Sequence, residues 1–263
     1  MTTGERESDA ALARRLATDA GSLLLKLRIG ADAGDELGIL GDRESHEFLC
    51  RELCAHRPGD AVLSEEGADD PARLRADRVW IVDPLDGTRE YAEPDRADWA
   101  VHVALWRPGR TVDDPTRGGR LVAGAVALPA LGHTYGSDPA PRLPAAHPGR
   151  PRIAVSRTRP PALVHRVAAE LDAELVPLGS AGMKAMAVLR GEADAYLHAG
   201  GQHEWDSAAP VAVATAAGLH ASRLDGAALA YNRADPRLPD LIVCRPELAT
   251  TLLAAVAREQ DRS

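Results

Sequence analysis

The chain has 263 residues, with 31 basic and 39 acidic side chains for a net charge of −8, and is 45% hydrophobic and 27% charged. That balance is typical of a globular chain long enough to bury a full core, and not of a disordered one. The acidic excess argues against nucleic acid or an anionic membrane as partner, though not against a local basic pocket for a small phosphate. The residues up to Ala10 are polar and acidic, so no signal peptide is expected there, and no apolar stretch has the length and bulk of a membrane span. Three cysteines cannot all pair, so the expected compartment is the reducing cytoplasm.

Leu12, Leu16, Ala20, Leu23, Leu24 and Leu27 recur at helical spacing and predict a helix over about residues 8–28, with Ser8 as its N-cap. Gly30 to Gly41 reads as a Gly- and Asp-rich loop, after which Asp42 opens a second helix that buries His46, Leu49, Cys50 and Leu53. Short strands are expected at Ala61–Leu63, Val79–Val82 and Trp99–Trp106, followed by a hairpin of Leu121–Leu128 with His133–Tyr135. Between Gly136 and Pro151 lie five prolines and two glycines without apolar periodicity. A domain boundary is placed there, giving residues 1–145 and 146–263.

Beyond it strands alternate with helices. Strands are expected at Ile153–Val155, Leu175–Leu178, Ala193–Leu197, Leu219–Arg223 and Leu241–Cys244, and helices at Pro161–Leu171, Ala181–Arg190, Asp206–Ala217 and Pro246–Arg258. Pro161, Pro210 and Pro246 are expected in first turns, where a missing N–H costs nothing. The second half is therefore α/β, without internal repeats.

The informative segment is Val79-Trp80-Ile81-Val82-Asp83-Pro84-Leu85-Asp86-Gly87-Thr88. A β-branched run delivers Asp83 to the mouth of a strand, and Pro84 holds it extended. Asp86 arrives one turn later, and Gly87 allows close approach to the backbone. Two acids beside outward N–H groups suit a divalent cation together with a phosphate, although Asp, Pro and Gly are also ordinary turn residues. Ser64-Glu65-Glu66 and Trp205-Asp206 add carboxylates, each with an everyday explanation as surface charge or helix cap.

Glu65-Glu66, Asp83-Pro84-Leu85-Asp86-Gly87-Thr88 and Trp205-Asp206-Ser207-Ala208-Ala209 together resemble the lithium-sensitive, magnesium-dependent phosphatases of the inositol monophosphatase superfamily. Within it the chain looks most like CysQ-type 3′(2′),5′-bisphosphate nucleotidases. The resemblance implies a layered αβαβα sandwich and a soluble cytoplasmic enzyme of sulfate assimilation that is inhibited by Li⁺ and forms a possible homodimer. Two or three Mg²⁺ are implied: Glu65, Asp83 and the Leu85 carbonyl would hold the first, and Asp83, Asp86 and Asp206 the second. A weaker third ion would share Glu65. Glu65 and a Thr88–Asp42 pair would orient and deprotonate the attacking water, while the Gly87 and Thr88 N–H groups receive the phosphate.

Ser180 and Lys184 match the glycine–serine segment and the lysine with which nucleotidases meet a second phosphate. Ser156-Arg157-Thr158-Arg159 has an arginine where that family has histidine, and His198 stands where it often has arginine. The implied substrate is a small phosphate ester, 3′-phosphoadenosine 5′-phosphate, cleaved to AMP. The alternative is a broader sugar phosphatase acting on fructose 1,6-bisphosphate or inositol monophosphate.

Overall fold

The computed structural model describes residues 7–30, 34–109 and 119–262. Residues 1–6 of the polar start and 31–33 of the expected loop lie outside the described residues. Five layers follow one another. Helices α1 (Asp9–Gly30) and α2 (Asp35–His56) cover one face of a sheet ordered β1-β2-β3-β4-β5. Its strands are β1 (Ala61–Ser64), β2 (Val79–Asp86), β3 (Ala100–Arg107), β4 (Arg120–Leu128) and β5 (His133–Gly136); a short helix α3 (Thr88–Ala92) follows β2. The β1–β2 pair is parallel and the other pairs are antiparallel.

The opposite face of that sheet packs on α5 (Ala181–Leu189) and α6 (Glu204–Ala216), which in turn pack on a second sheet. The second sheet is ordered β7-β6-β8-β10-β9, from β6 (Arg152–Ser156), β7 (Glu174–Leu178), β8 (Ala195–His203), β9 (His220–Ser222) and β10 (Arg237–Cys244). Helices α4 (Ala162–Glu170) and α7 (Ala249–Asp261) close its outer face. This is the expected αβαβα sandwich. The first sheet is covered on both faces, which is why β2 and β3 read as nearly continuous apolar runs. The middle core draws Ile81, Ala104 and Val126 from the first half and Met186, Ala209 and Val243 from the second.

Most expected elements are present with ends moved by a residue or two, and Ser8 does cap α1, its Oγ accepting from Ala11 N at 3.1 Å. Four expectations are corrected. Helix α2 begins at Asp35, so Asp42 lies two turns inside it and does not open it. The glycines that suggested a loop are its contact face: a Cβ on Gly38 would stand 2.8 Å from Thr88 Cγ2, and one on Gly41 2.7 Å from Tyr91 Cε1. The buried stripe of α2 is accordingly Leu37, Gly41, Ser45, Leu49 and Leu53; Cys50 is half-buried and Cys54 exposed.

Strand β2 runs on through the acidic motif to Asp86, and no helical turn follows Asp83. The β8 strand extends to His203 through Gly200 and Gly201, whose glycines hid it. Finally, α6 starts at Glu204, which places Pro210 inside the helix, where its missing N–H withdraws the i,i−4 bond from the Asp206 carbonyl.

Candidate active site

The two motif aspartates reach the same place because of a β-bulge. In the β2–β3 ladder Asp83 faces His102 and Asp86 faces Ala100, so three steps on β2 match two on β3. In a regular strand residues three apart point to opposite faces; the extra residue returns Asp86 to the face of Asp83, toward the middle helices. Pro84, with no N–H to lose from the ladder, sits in the bulge. Asp83 Oδ1 accepts from Leu85 N at 3.1 Å, and Ser45 Oγ on α2 donates to the Pro84 carbonyl at 2.7 Å.

Asp206 arrives from the other half as the third residue of α6, its carboxylate accepting from His203 N at 2.6 Å. Carboxylate oxygens of Asp83, Asp86 and Asp206 all lie within 4.8 Å of one another. Glu65, just past the end of β1 and exposed, stands outside this group of three but close enough to feel it.

So many acids in a poorly solvated place repel their own charge. Burial first, then the carboxylates of Glu65, Asp86 and Asp206, lift Asp83 well above the usual range. Asp206 is pushed up to about 6 by burial and by Asp86. Glu65 is pushed up to about 8 by desolvation, then by Asp206, Asp42 and Asp86. Asp86 differs: burial raises it, but His102, Lys184 and the Gly182 N–H outweigh that and hold it below the usual value. Its oxygens accept from Ala181 N at 3.1 Å and Gly182 N at 2.6 Å, the first turn of α5.

Thr88 and Asp42 are paired as the sequence suggested. Thr88 Oγ1 lies 3.3 Å from Asp42 Oδ1 and 3.3 Å from the Leu85 carbonyl oxygen. Asp42 is pushed up to about 7 by burial and by Glu66, against the opposing Thr88 hydroxyl. Gly87, between motif and α3, has φ 90° and ψ 46°, a left-handed conformation that strains other residues. A Cβ on it would also stand 2.9 Å from Ser180 Cβ.

From the acids a cleft of about 370 Å³ opens between α3, the β6–α4 loop, the start of α5 and β8. Its lining includes Thr88, Ser156, Arg159, Ser180, Lys184 and His198. Ser180 caps α5, its Oγ accepting from Met183 N at 2.9 Å. Lys184 is buried, and its Nζ donates to the carbonyls of Gly179 and Ser180, the latter at 2.8 Å. Burial lowers its pKa against the pull of Asp86 and Glu90. His198 is pushed down to about 4 by burial and by Lys184. Arg157 turns from the cleft to pair with Glu90 and Glu93, both at 2.9 Å. Arg159 lines the cleft with an exposed guanidinium that pairs with no carboxylate among the described residues.

Two residues with structural roles here were not picked out from the sequence. Asp98 accepts from Gly179 N at 2.6 Å and ties the entry of α5 to the first sheet. His102 on β3 is fully buried beside Asp83 and Asp86. Its signal was available: it is the one polar residue among Ala100, His102, Ala104 and Trp106, which share a strand face.

The sequence profile of the Inositol monophosphatase family matches residues 9–138 and 151–262. A 3′-phosphoadenosine 5′-phosphate phosphatase of Mycobacterium bovis is 57% identical over 244 residues, covering 91% of this chain and 90% of that protein. The 3′(2′),5′-bisphosphate nucleotidase CysQ of Escherichia coli K12 is 30% identical over 237 residues, covering 82% of this chain and 91% of its own length. The crystal structure of CysQ from Bacteroides thetaiotaomicron, a bacterial member of the inositol monophosphatase family, superposes with a TM-score of 0.75 at 26% identity, covering 92% of this chain and 98% of that one. No helix among the described residues is long and apolar enough to cross a membrane. A match that runs through both halves, around a bulged strand that needs both to complete its acid cluster, leaves one conclusion: the chain belongs to the inositol monophosphatase family.

Proposed function

We propose that the protein is a Mg²⁺-dependent phosphomonoesterase that removes the 3′-phosphate of 3′-phosphoadenosine 5′-phosphate, leaving AMP. The observation that carries this reading is the convergence of Asp83, Asp86 and Asp206 at one end of a cleft whose wall also presents the free guanidinium of Arg159. The donor set fits the ion: hard carboxylate oxygens, two of the three residues buried, with repulsion that a dication relieves. Glu65, Asp83, the Leu85 carbonyl, Asp86 and Asp206 would hold it. When bound, such ions polarise phosphoryl oxygens and make water a nucleophile at neutral pH.

The chain's own residues supply the rest. Thr88 Oγ1, donating toward Asp42, presents its lone pairs to a water and lines it up with phosphorus. Asp42, paired with the Thr88 hydroxyl, and Glu65 are the carboxylates placed to take the proton that water sheds. The backbone N–H groups of Gly87 and Thr88 receive the phosphoryl oxygens. As the bond from phosphorus to the 3′-oxygen breaks, the departing alkoxide takes a proton from a water beside Asp206, giving AMP and inorganic phosphate. On this reading the enzyme is sensitive to Li⁺, works in the cytoplasm in sulfate assimilation, and forms a homodimer.

The test is phosphate release at fixed Mg²⁺ from 3′-phosphoadenosine 5′-phosphate, fructose 1,6-bisphosphate and inositol 1-phosphate, with Asp86→Asn as the blank. The nucleotide should lead in kcat/KM by tenfold or more, about 1.4 kcal/mol of transition-state discrimination. Equal rates on all three would make the enzyme a broad sugar phosphatase, and release from none would overturn the assignment.

A further inference from the structure

We propose that His102 is the positioning residue that holds the Asp86 carboxylate in place within the acid cluster and thereby sets the cluster's affinity for a divalent cation; this rests on the cluster being the metal site of the phosphatase proposed above. Strand alternation turns Ala100, His102, Ala104 and Trp106 toward the middle helices, so the imidazole is the polar intruder on an otherwise apolar face, and it is fully buried. A buried imidazole in such a place is costly unless its nitrogens meet partners.

Both do. Nδ1 lies 3.1 Å from the carbonyl oxygen of Trp205, the residue before Asp206, and 3.9 Å from Asp83 Oδ2. Nε2 lies 3.2 Å from Asp86 Oδ2, an electrostatic contact that lacks the alignment of a full hydrogen bond. The Asp86 carboxylate is therefore clamped, with the Ala181 and Gly182 N–H groups on one side and the ring on another. The clamp is tight: a Cβ on Gly182 would fall 2.1 Å from His102 Nε2. One ring thus touches an acid of the first half and the helical turn that carries the acid of the second. Groups that hold metal-ligating side chains in place typically govern affinity by about 10–100-fold.

Glutamine and asparagine separate this role from packing, because the Gln amide nitrogen reaches the place of Nε2, whereas the Asn amide reaches only that of Nδ1. The full-length protein, freed of metal, is titrated with Mn²⁺ and followed by electron paramagnetic resonance, without substrate. Urea unfolding in chelator and the Mg²⁺ dependence of phosphate release are measured on the same variants. His102→Asn and His102→Leu should weaken Mn²⁺ binding by about tenfold or more and raise the half-saturating Mg²⁺ to match, while kcat at saturating Mg²⁺ falls by less than about threefold. His102→Gln should stay within about threefold of the wild type in affinity.

Wild-type affinity in all three variants, with losses confined to the urea midpoint, would make His102 a packing residue and overturn the proposal. So would a His102→Gln as weak as His102→Leu, since the Asp86 contact would then not be what matters. If the wild type itself binds no Mn²⁺, the metal-site reading falls first, and this inference with it.

Discussion

Asp206→Asn should make the metal-free protein more stable at pH 8 while destroying its response to Mg²⁺. In the fold the Asp206 carboxyl moves from the usual 3.8 to about 6, by burial and by the neighbouring Asp86. That difference corresponds to about 3 kcal/mol of strain in the folded state once the group is charged. Because Asp83 and Asp86 share the repulsion, deleting one charge recovers part of it, about 1–3 kcal/mol. Asparagine keeps an oxygen for the His203 N–H and can donate to Asp86 in place of repelling it.

The sign follows from proton counting. Between pH 4 and 6 the folded protein holds a proton at Asp206 that the unfolded chain has released. The stability this group contributes is therefore full below about 3.8 and lost as pH rises through about 6. The variant's advantage should be absent near pH 4 and complete by pH 7. Urea unfolding in chelator, from pH 4.5 to 8.5, measures it; in thermal unfolding each kcal/mol is worth about 2–4 °C for a chain of this size. With Mg²⁺ at about a hundredfold over its dissociation constant the wild type should gain about 2.7 kcal/mol and overtake the variant. A variant less stable than wild type in chelator at pH 8, or an advantage that does not change with pH, would refute the argument.

Thr88→Val keeps the shape of the side chain and removes the hydroxyl between Asp42 and the Leu85 carbonyl. It should lower kcat by about 10²–10⁴ with KM within about threefold, read by steady-state phosphate release. Arg159→Ala should cut kcat/KM for 3′-phosphoadenosine 5′-phosphate by about tenfold or more and leave 3′-AMP, which lacks the second phosphate, nearly unchanged. An equal loss on both substrates would show that Arg159 does not meet the second phosphate.

The layers and most elements were legible because each has a one-sided or two-sided apolar code: the Leu12–Leu16–Ala20 stripe of α1 faces one core, and the Val79–Val82 run is covered on both faces. Where the pattern misled, a residue served a contact that composition cannot reveal. Gly38 and Gly41 look like loop glycines, yet they let a helix lie against Thr88 and Tyr91. Gly200 and Gly201 look like a strand end, yet β8 continues through them. The bulge at Pro84 exists only in the register with β3, so spacing alone suggested a helical turn. His102 escaped for a similar reason: its importance lies in what β2 and α6 place around it.

Lys184 shows how one residue type can satisfy two arguments differently. It is one of two lysines in the chain, and by resemblance it meets a second phosphate. In the structure its ammonium is spent on the Gly179 and Ser180 carbonyls and is shielded over the Tyr196 ring, 5.3 Å from the centroid. Two of its three N–H donors are so committed, which leaves one for a ligand, whereas the guanidinium of Arg159 on the same cleft pairs with no carboxylate among the described residues. Lys184 does influence the site without moving: it helps keep Asp86 ionised and His198 neutral. The cleft therefore divides its positive charge by location, with a buried lysine that holds the α5 entry and tunes the acids and an exposed arginine that pairs with no carboxylate among the described residues.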